Sequence, residues 1–288
     1  MIRVKLIGLE EMFVLEILQH SMKITALVFL MMIVVDFIDV KTRGRLKEFV
    51  KENVWRQYIT ASFLGATPGC IGAFMNVTFY IHGFLTFGAI VAGMIATSGD
   101  EAFVMLTQFP EQALILFAIL FVIAIPIGWL TDRAAKLFHI IPCKDCELHK
   151  IHLEEKDRGH YLKEHVWNHI IKHHIWKVFL WTFFALLIVQ LGLKYWEMVT
   201  FIKENMVLIL LLGVLIGIIP ESGPHLIFVM MFANGVIPFS VLLASSIAQD
   251  GHGMLPLLSY TIRDTLLIKV FNISAAFIVG GLTYLIGW

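Results

Sequence analysis

Four short polar stretches interrupt a chain that is otherwise apolar. They are Gly65-Ala-Thr-Pro-Gly-Cys70, Ser98-Gly-Asp-Glu101, Gly217-Ile-Ile-Pro-Glu-Ser-Gly-Pro-His225 and Gln249-Asp-Gly-His252. The groups they offer are Thr67, Cys70, Ser98, Asp100 and Glu101 from the first pair, and Glu221, Ser222, His225, Gln249, Asp250 and His252 from the second. Carboxylates mixed with imidazoles and backbone carbonyls suit a divalent first-row cation, and a site rich in carboxylate and carbonyl leans toward the harder ions, Mn among them. Glu221, Asp250, His252 and Asp100 are the expected ligands of such an ion. An oxyanion would call for Arg or Lys, or for helix N-termini and hydroxyls. Neither 65–106 nor 217–258 contains a Lys or Arg. Histidine titrates near neutral pH, so the same groups could carry protons in an exchange cycle. The competing interpretation is that some of them sit at a membrane interface, or pair with one another to close the fold.

A second cluster lies between the two pairs. Cys143, Cys146, His149 and His152 follow one another at spacing three, and His165, His169 and His173 at spacing four fall along one side of a helix. Thiolates and imidazoles within a turn or two of each other are what a zinc-type site requires. A metal-loading or sensing site is the favoured reading, and a solvated His-rich amphipathic helix the alternative.

The elements that must hold these groups follow from composition. Of 288 residues, 58% are apolar and 15% charged, outside the range of soluble domains. Windows 21–40, 111–130, 177–196, 205–219 and 264–286 approach or exceed the ~20 apolar residues that cross a bilayer as a helix. Uniform apolar runs exclude a β-barrel. The chain reads as all-α, a polytopic membrane protein. Net charge is zero and argues against a nucleic-acid partner, and three cysteines cannot build a disulfide framework. Residues 1–20 read as an interfacial helix, because acidic residues interrupt their apolar stretch as they would not in a signal peptide.

Sliding the sequence by 152 positions lays 65–106 on 217–258 without a gap, with ten of 42 pairs identical, including Gly65/Gly217, Pro68/Pro220, Gly83/Gly235 and Gly99/Gly251. The chain is a tandem repeat. Each half reads as a full-length helix, an apolar segment broken at Pro68 or Pro220, a second broken at Ser98-Gly99-Asp100 or Asp250-Gly251-His252, and a closing helix. Proline removes a backbone donor and glycine loosens the backbone, so the helical ladder stops there. Such breaks in lipid are tolerated only where protein or water receives the freed groups. The loop 41–56 carries six Lys/Arg and its counterpart 194–205 only two, so the first is expected on the cytoplasmic side and the second not. The halves are therefore expected to be inverted five-segment repeats with discontinuous helices, over 21–130 and 177–288, joined by a cytoplasmic linker over 131–176. Inverted repeats with breaks at corresponding positions are the signature of secondary transporters whose substrate sits where the breaks meet.

The paired breaks around a Cys/His-rich linker resemble the ten-transmembrane heavy-metal exporter family, also described as manganese transporters or arsenic efflux permeases. The resemblance covers about 20–288. Its more specific motif corresponds to Pro220, Glu221, Ser222, Gly223, Pro224, His225, Gln249, Asp250 and Gly251. It implies a ten-helix exporter built of two five-helix halves in the inner membrane. The expected function is secondary active export of a divalent metal, Mn favoured, by alternating access. Proton coupling is compatible with the residues. The metal is substrate, with no cofactor, and the lipid bilayer is the other partner; a homo-oligomer is compatible with the sequence. The alternative is export of an arsenical or other small anion, with Cys70 as a thiol ligand. An intramembrane enzyme is disfavoured, since HExxH is missing, and GxxxxGK[ST] is missing as well, which speaks against ATP drive.

Overall fold

The computed structural model describes residues 14–26, 29–30, 53–81, 83–140, 176–195 and 198–288. The described residues contain helices and turns but no strand. Residues 14–26 form α1, which runs across position 20 without a break. Then come α2 (Val54–Ala66), α3 (Ile71–Ile81), α4 (Phe87–Ile95), α5 (Glu101–Gln108) and α6 (Pro110–Leu137). After the linker follow α7 (Trp176–Tyr195), α8 (Met198–Glu204), α9 (Met206–Ile216), α10 (Ser222–Ala233), α11 (Phe239–Ala248), a 3-10 turn (Gly251–Gly253), α12 (Met254–Tyr260) and α13 (Ile262–Leu285).

Local chemistry sets many of these boundaries. Asn53 accepts from the Trp55 amide at the start of α2, Thr86 from the Ala89 amide at the start of α4, and Thr261 from the Asp264 amide at the start of α13, as short oxygen-bearing N-caps do. Pro110 occupies the first turn of α6, where its missing N–H costs nothing. The repeat is visible element by element. α2 to α6 have counterparts in α9 to α13 whose starts lie 152 residues further on, to within one residue. The breaks fall where the sequence puts them, at 67–70 and 96–100 in the first half and at 217–221 and 249–250 in the second. The closing helix α6 is longer than its apolar window, because the polar residues after 130 simply continue the helix.

In the first half α2, α4 and α6 pack together, and in the second half α9, α11 and α13 do the same. The halves meet through α4 against α11, α3 against α12, and α5 against α10. The central α4 is buried along its whole length, and α11 after its first residue. At nine and ten residues each covers only about half of the ~30 Å hydrocarbon thickness. The outer helices are long enough to cross it. They turn Leu114, Val122 and Leu130 of α6, and Leu266, Val270 and Ile278 of α13, outward. Meanwhile Asp100, Glu101, His225, Gln249, Asp250, Lys269 and Asn272 are buried. Apolar residues outside and ionisable ones within is the arrangement that lipid demands.

Candidate functional site

The breaks converge on one place. The Gly69 amide donates to the Gly99 carbonyl at 3.0 Å, tying the two breaks of the first half together. Gln249 Nε2 donates to the Thr97 carbonyl at 2.9 Å, tying the second half to the first. Thr97 and Gln249 are 152 positions apart, so two corresponding residues of the repeat touch each other. Gly99 and Gly251, also counterparts, share the left-handed conformation with φ of 57° and 54°. A Cβ on Gly251 would lie 3.7 Å from Gly99 Cα. Glycine alone takes this φ without steric cost, and the two turns sit back to back.

Around these two glycines lies a set of oxygens that no described residue satisfies. Glu101 Oε2, Ser98 Oγ, Ser222 Oγ and Gln249 Oε1 are buried without a hydrogen-bond partner. Glu101, Ser98 and Gln249 are each 1% exposed. A Cβ placed on Gly99 would be 2.7 Å from Glu101 Oε2 and 2.8 Å from Ser222 Oγ, and one on Gly251 would be 3.3 Å from Ser222 Oγ and 3.8 Å from Gln249 Oε1. His225 Nδ1 faces the other Glu101 oxygen at 3.3 Å, while its Nε2 is 2.9 Å from Ser245 Oγ. The cluster draws Ser98 and Glu101 from one half, and Ser222, His225 and Gln249 from the other. A buried polar group without a partner costs about 1–3 kcal/mol, so several together mark a place built for something else to fill. A carboxylate with hydroxyl and amide oxygens is a donor set for a hard cation.

A second buried cluster lies beside the first. Asp250 is held between Lys269, which forms an ion pair with its Oδ2, and Asn272, which donates to its Oδ1. Lys269 Nζ also donates to the carbonyls of Gly217 at 2.8 Å and Ala248 at 3.3 Å, at the C-terminal ends of α9 and α11. A Cβ on Gly217 would lie 2.6 Å from Ala248 Cβ, so glycine is what lets these two helix ends approach. Lys269 and Asn272 lie outside the two matched segments, and sequence reasoning passed over them. The available signal was a lone lysine in the middle of α13, with an asparagine one turn on.

Of the remaining expected residues, Cys70 is buried and its thiol donates to Asp100 Oδ1 at 3.0 Å. Thr67 gives its hydroxyl to the Leu64 carbonyl. Glu221 is half-buried at the N-cap of α10 and makes no side-chain cap bond there. The His252 side chain lies outside the described residues, as do Cys143, Cys146, His149, His152, His165, His169 and His173 of the linker. Among the described residues no three His, Cys, Asp or Glu side chains form a metal-binding group.

A family described as "Putative, 10TM heavy-metal exporter" matches residues 9–190 and 154–287, nearly the entire chain. The chain belongs to this family. Membership agrees with the inside-out distribution of polar residues: the protein is a helical, membrane-resident member of a heavy-metal exporter family. No curated protein and no solved structure matches it.

Proposed function

We propose that this exporter moves a divalent transition-metal cation, Mn preferred, by alternating access around the oxygen cluster at Gly99 and Gly251. The observation that carries the reading is the set of unsatisfied buried oxygens of Ser98, Glu101, Ser222 and Gln249, contributed by both halves. Glu101 supplies the charge, the other three supply neutral oxygens, and His225 holds the Glu101 carboxylate in position from its far side. Asp100 accepts from the Cys70 thiol, and Asp250 keeps Lys269 in place. Hydroxyl, amide and carboxylate oxygens in this proportion favour a harder ion over Zn or Cu.

Inverted topology is part of the same proposal. Counterparts that touch, as Thr97 and Gln249 do, call for a rotation axis through the contact. The exchanged packing of α3 on α12 and α5 on α10 supports the same two-fold relation. Rocking one half against the other about that axis would open the cluster to each side in turn. Proton coupling belongs to the same proposal. The buried Cys70 thiol keeps arsenical export as the second reading.

The test is efflux from proteoliposomes with Mn, Fe, Co, Ni, Zn and arsenite, comparing wild type with Glu101→Gln and Cys70→Ser. We expect Glu101→Gln to lose metal movement by at least tenfold and Cys70→Ser to retain most of it. Unchanged metal flux in Glu101→Gln sinks the proposed site. Loss of arsenite flux confined to Cys70→Ser moves the assignment to the second reading.

A further inference from the structure

We propose that Lys269 is a tethered ion: its ammonium fills a monovalent-cation site formed by the Gly217 carbonyl, the Ala248 carbonyl and the Asp250 carboxylate. Three features support this. The carbonyls end two helices that stop at the two breaks of the second half, so each presents the negative end of a helix dipole. Asp250 adds a full negative charge, and Asn272 fixes its carboxylate by donating to the oxygen Lys269 does not use. Two helix-end carbonyls and one carboxylate are a donor set for a small alkali ion, since hard cations take oxygen ligands. Here the ammonium occupies that position, with all its described partners being oxygens.

The first half tells the same story by contrast. The positions corresponding to Lys269, Asn272 and Asp250 are Phe117, Leu120 and Ser98. Carboxylate, asparagine and ammonium are all lacking there, as they should be if the three work as one unit. A buried lysine of any kind needs oxygen partners, and this one finds a carboxylate and two helix-end carbonyls at the breaks. One that fills an ion site makes the protein independent of an external alkali ion at this position.

The binding claim stands on this geometry, while its consequence for transport rests on the exporter reading. The experiment is thermal unfolding of purified wild type, Lys269→Ala and the Lys269→Ala/Asp250→Asn double variant, in NaCl, KCl, LiCl and choline chloride at equal ionic strength. We expect Lys269→Ala to be stabilised saturably by one of the alkali ions, with Tm rising on the order of 3–6 °C at ten times its dissociation constant. Wild type and the double variant should show no ion preference. The proposal is overturned if Lys269→Ala unfolds alike in all four salts, if it cannot be recovered folded in any of them while the double variant can, or if wild type shows the same preference. In proteoliposomes, metal efflux by wild type should be the same in sodium and choline, whereas Lys269→Ala should need the stabilising ion. Efflux lacking in both proteins, with the Tm shift present, would refute the exporter reading and leave the ion site standing.

Discussion

Gly99→Ala and Gly251→Ala make a paired test of the oxygen cluster, because the two glycines have the same backbone and different surroundings. Both have φ near +55°, so an alanine at either costs about 1–2 kcal/mol of stability. At Gly99 the added methyl would fall 2.7 Å from Glu101 Oε2 and 2.8 Å from Ser222 Oγ, closer than any Cβ sits to an oxygen, so both must retreat. At Gly251 the nearest atom is Ser222 Oγ at 3.3 Å, which need yield only a few tenths of an ångström. A contact with a charged group is worth about 1.5–3 kcal/mol. Displacing Glu101 should therefore weaken metal binding by roughly 10- to 100-fold, at about 1.4 kcal/mol per tenfold. Titration calorimetry with Mn in detergent, alongside thermal unfolding, reads both quantities. We expect similar loss of stability in the two variants, and at least a tenfold greater loss of Mn affinity in Gly99→Ala. Equal affinities in the two variants, or a larger loss in Gly251→Ala, would refute the placing of the ion beside Gly99.

Two stability predictions concern the scaffold. Tyr80 of α3 donates to Asp264 Oδ2 of α13 at 2.6 Å, a buried bond between the halves; Tyr80→Phe should lower stability by about 1.5–3 kcal/mol, seen as a lower Tm. In Gly88→Ala the new Cβ would lie 2.1 Å from the Gly128 carbonyl oxygen, so α4 and α6 must part at a cost of about 1–3 kcal/mol, whereas Gly281→Ala meets nothing within 4 Å and should be neutral or stabilising by up to about 1 kcal/mol in the same assay.

The helix breaks were legible because proline and glycine act locally: Pro68, Pro220, Gly99 and Gly251 all lie at or beside a break, although Pro126 is carried inside α6. The offset of 152 was legible too, since duplicated elements keep their lengths. Ser98, Glu101, Ser222, His225 and Gln249 could be named from their position at the breaks. Which oxygens face one another could not, because that depends on how two halves far apart in sequence are docked. Lys269 was the costlier omission. The matched segments contain no basic residue, but α13 returns to the breaks from outside them and brings Lys269 with it. A lone charge in an apolar helix needs a partner in lipid, and Asp250 was the nearest candidate with a formal opposite charge at a break.

The bond from Gln249 to the Thr97 carbonyl also says something about how such a protein can change over time. If two identical subunits met at this point, one residue type would have to serve on both sides of the contact at once, as donor and as acceptor. A single chain that carries both copies escapes that constraint. One copy can keep an amide side chain and the other a bare carbonyl, one can acquire a lysine and the other a phenylalanine, and each gene change alters one side of the seam alone.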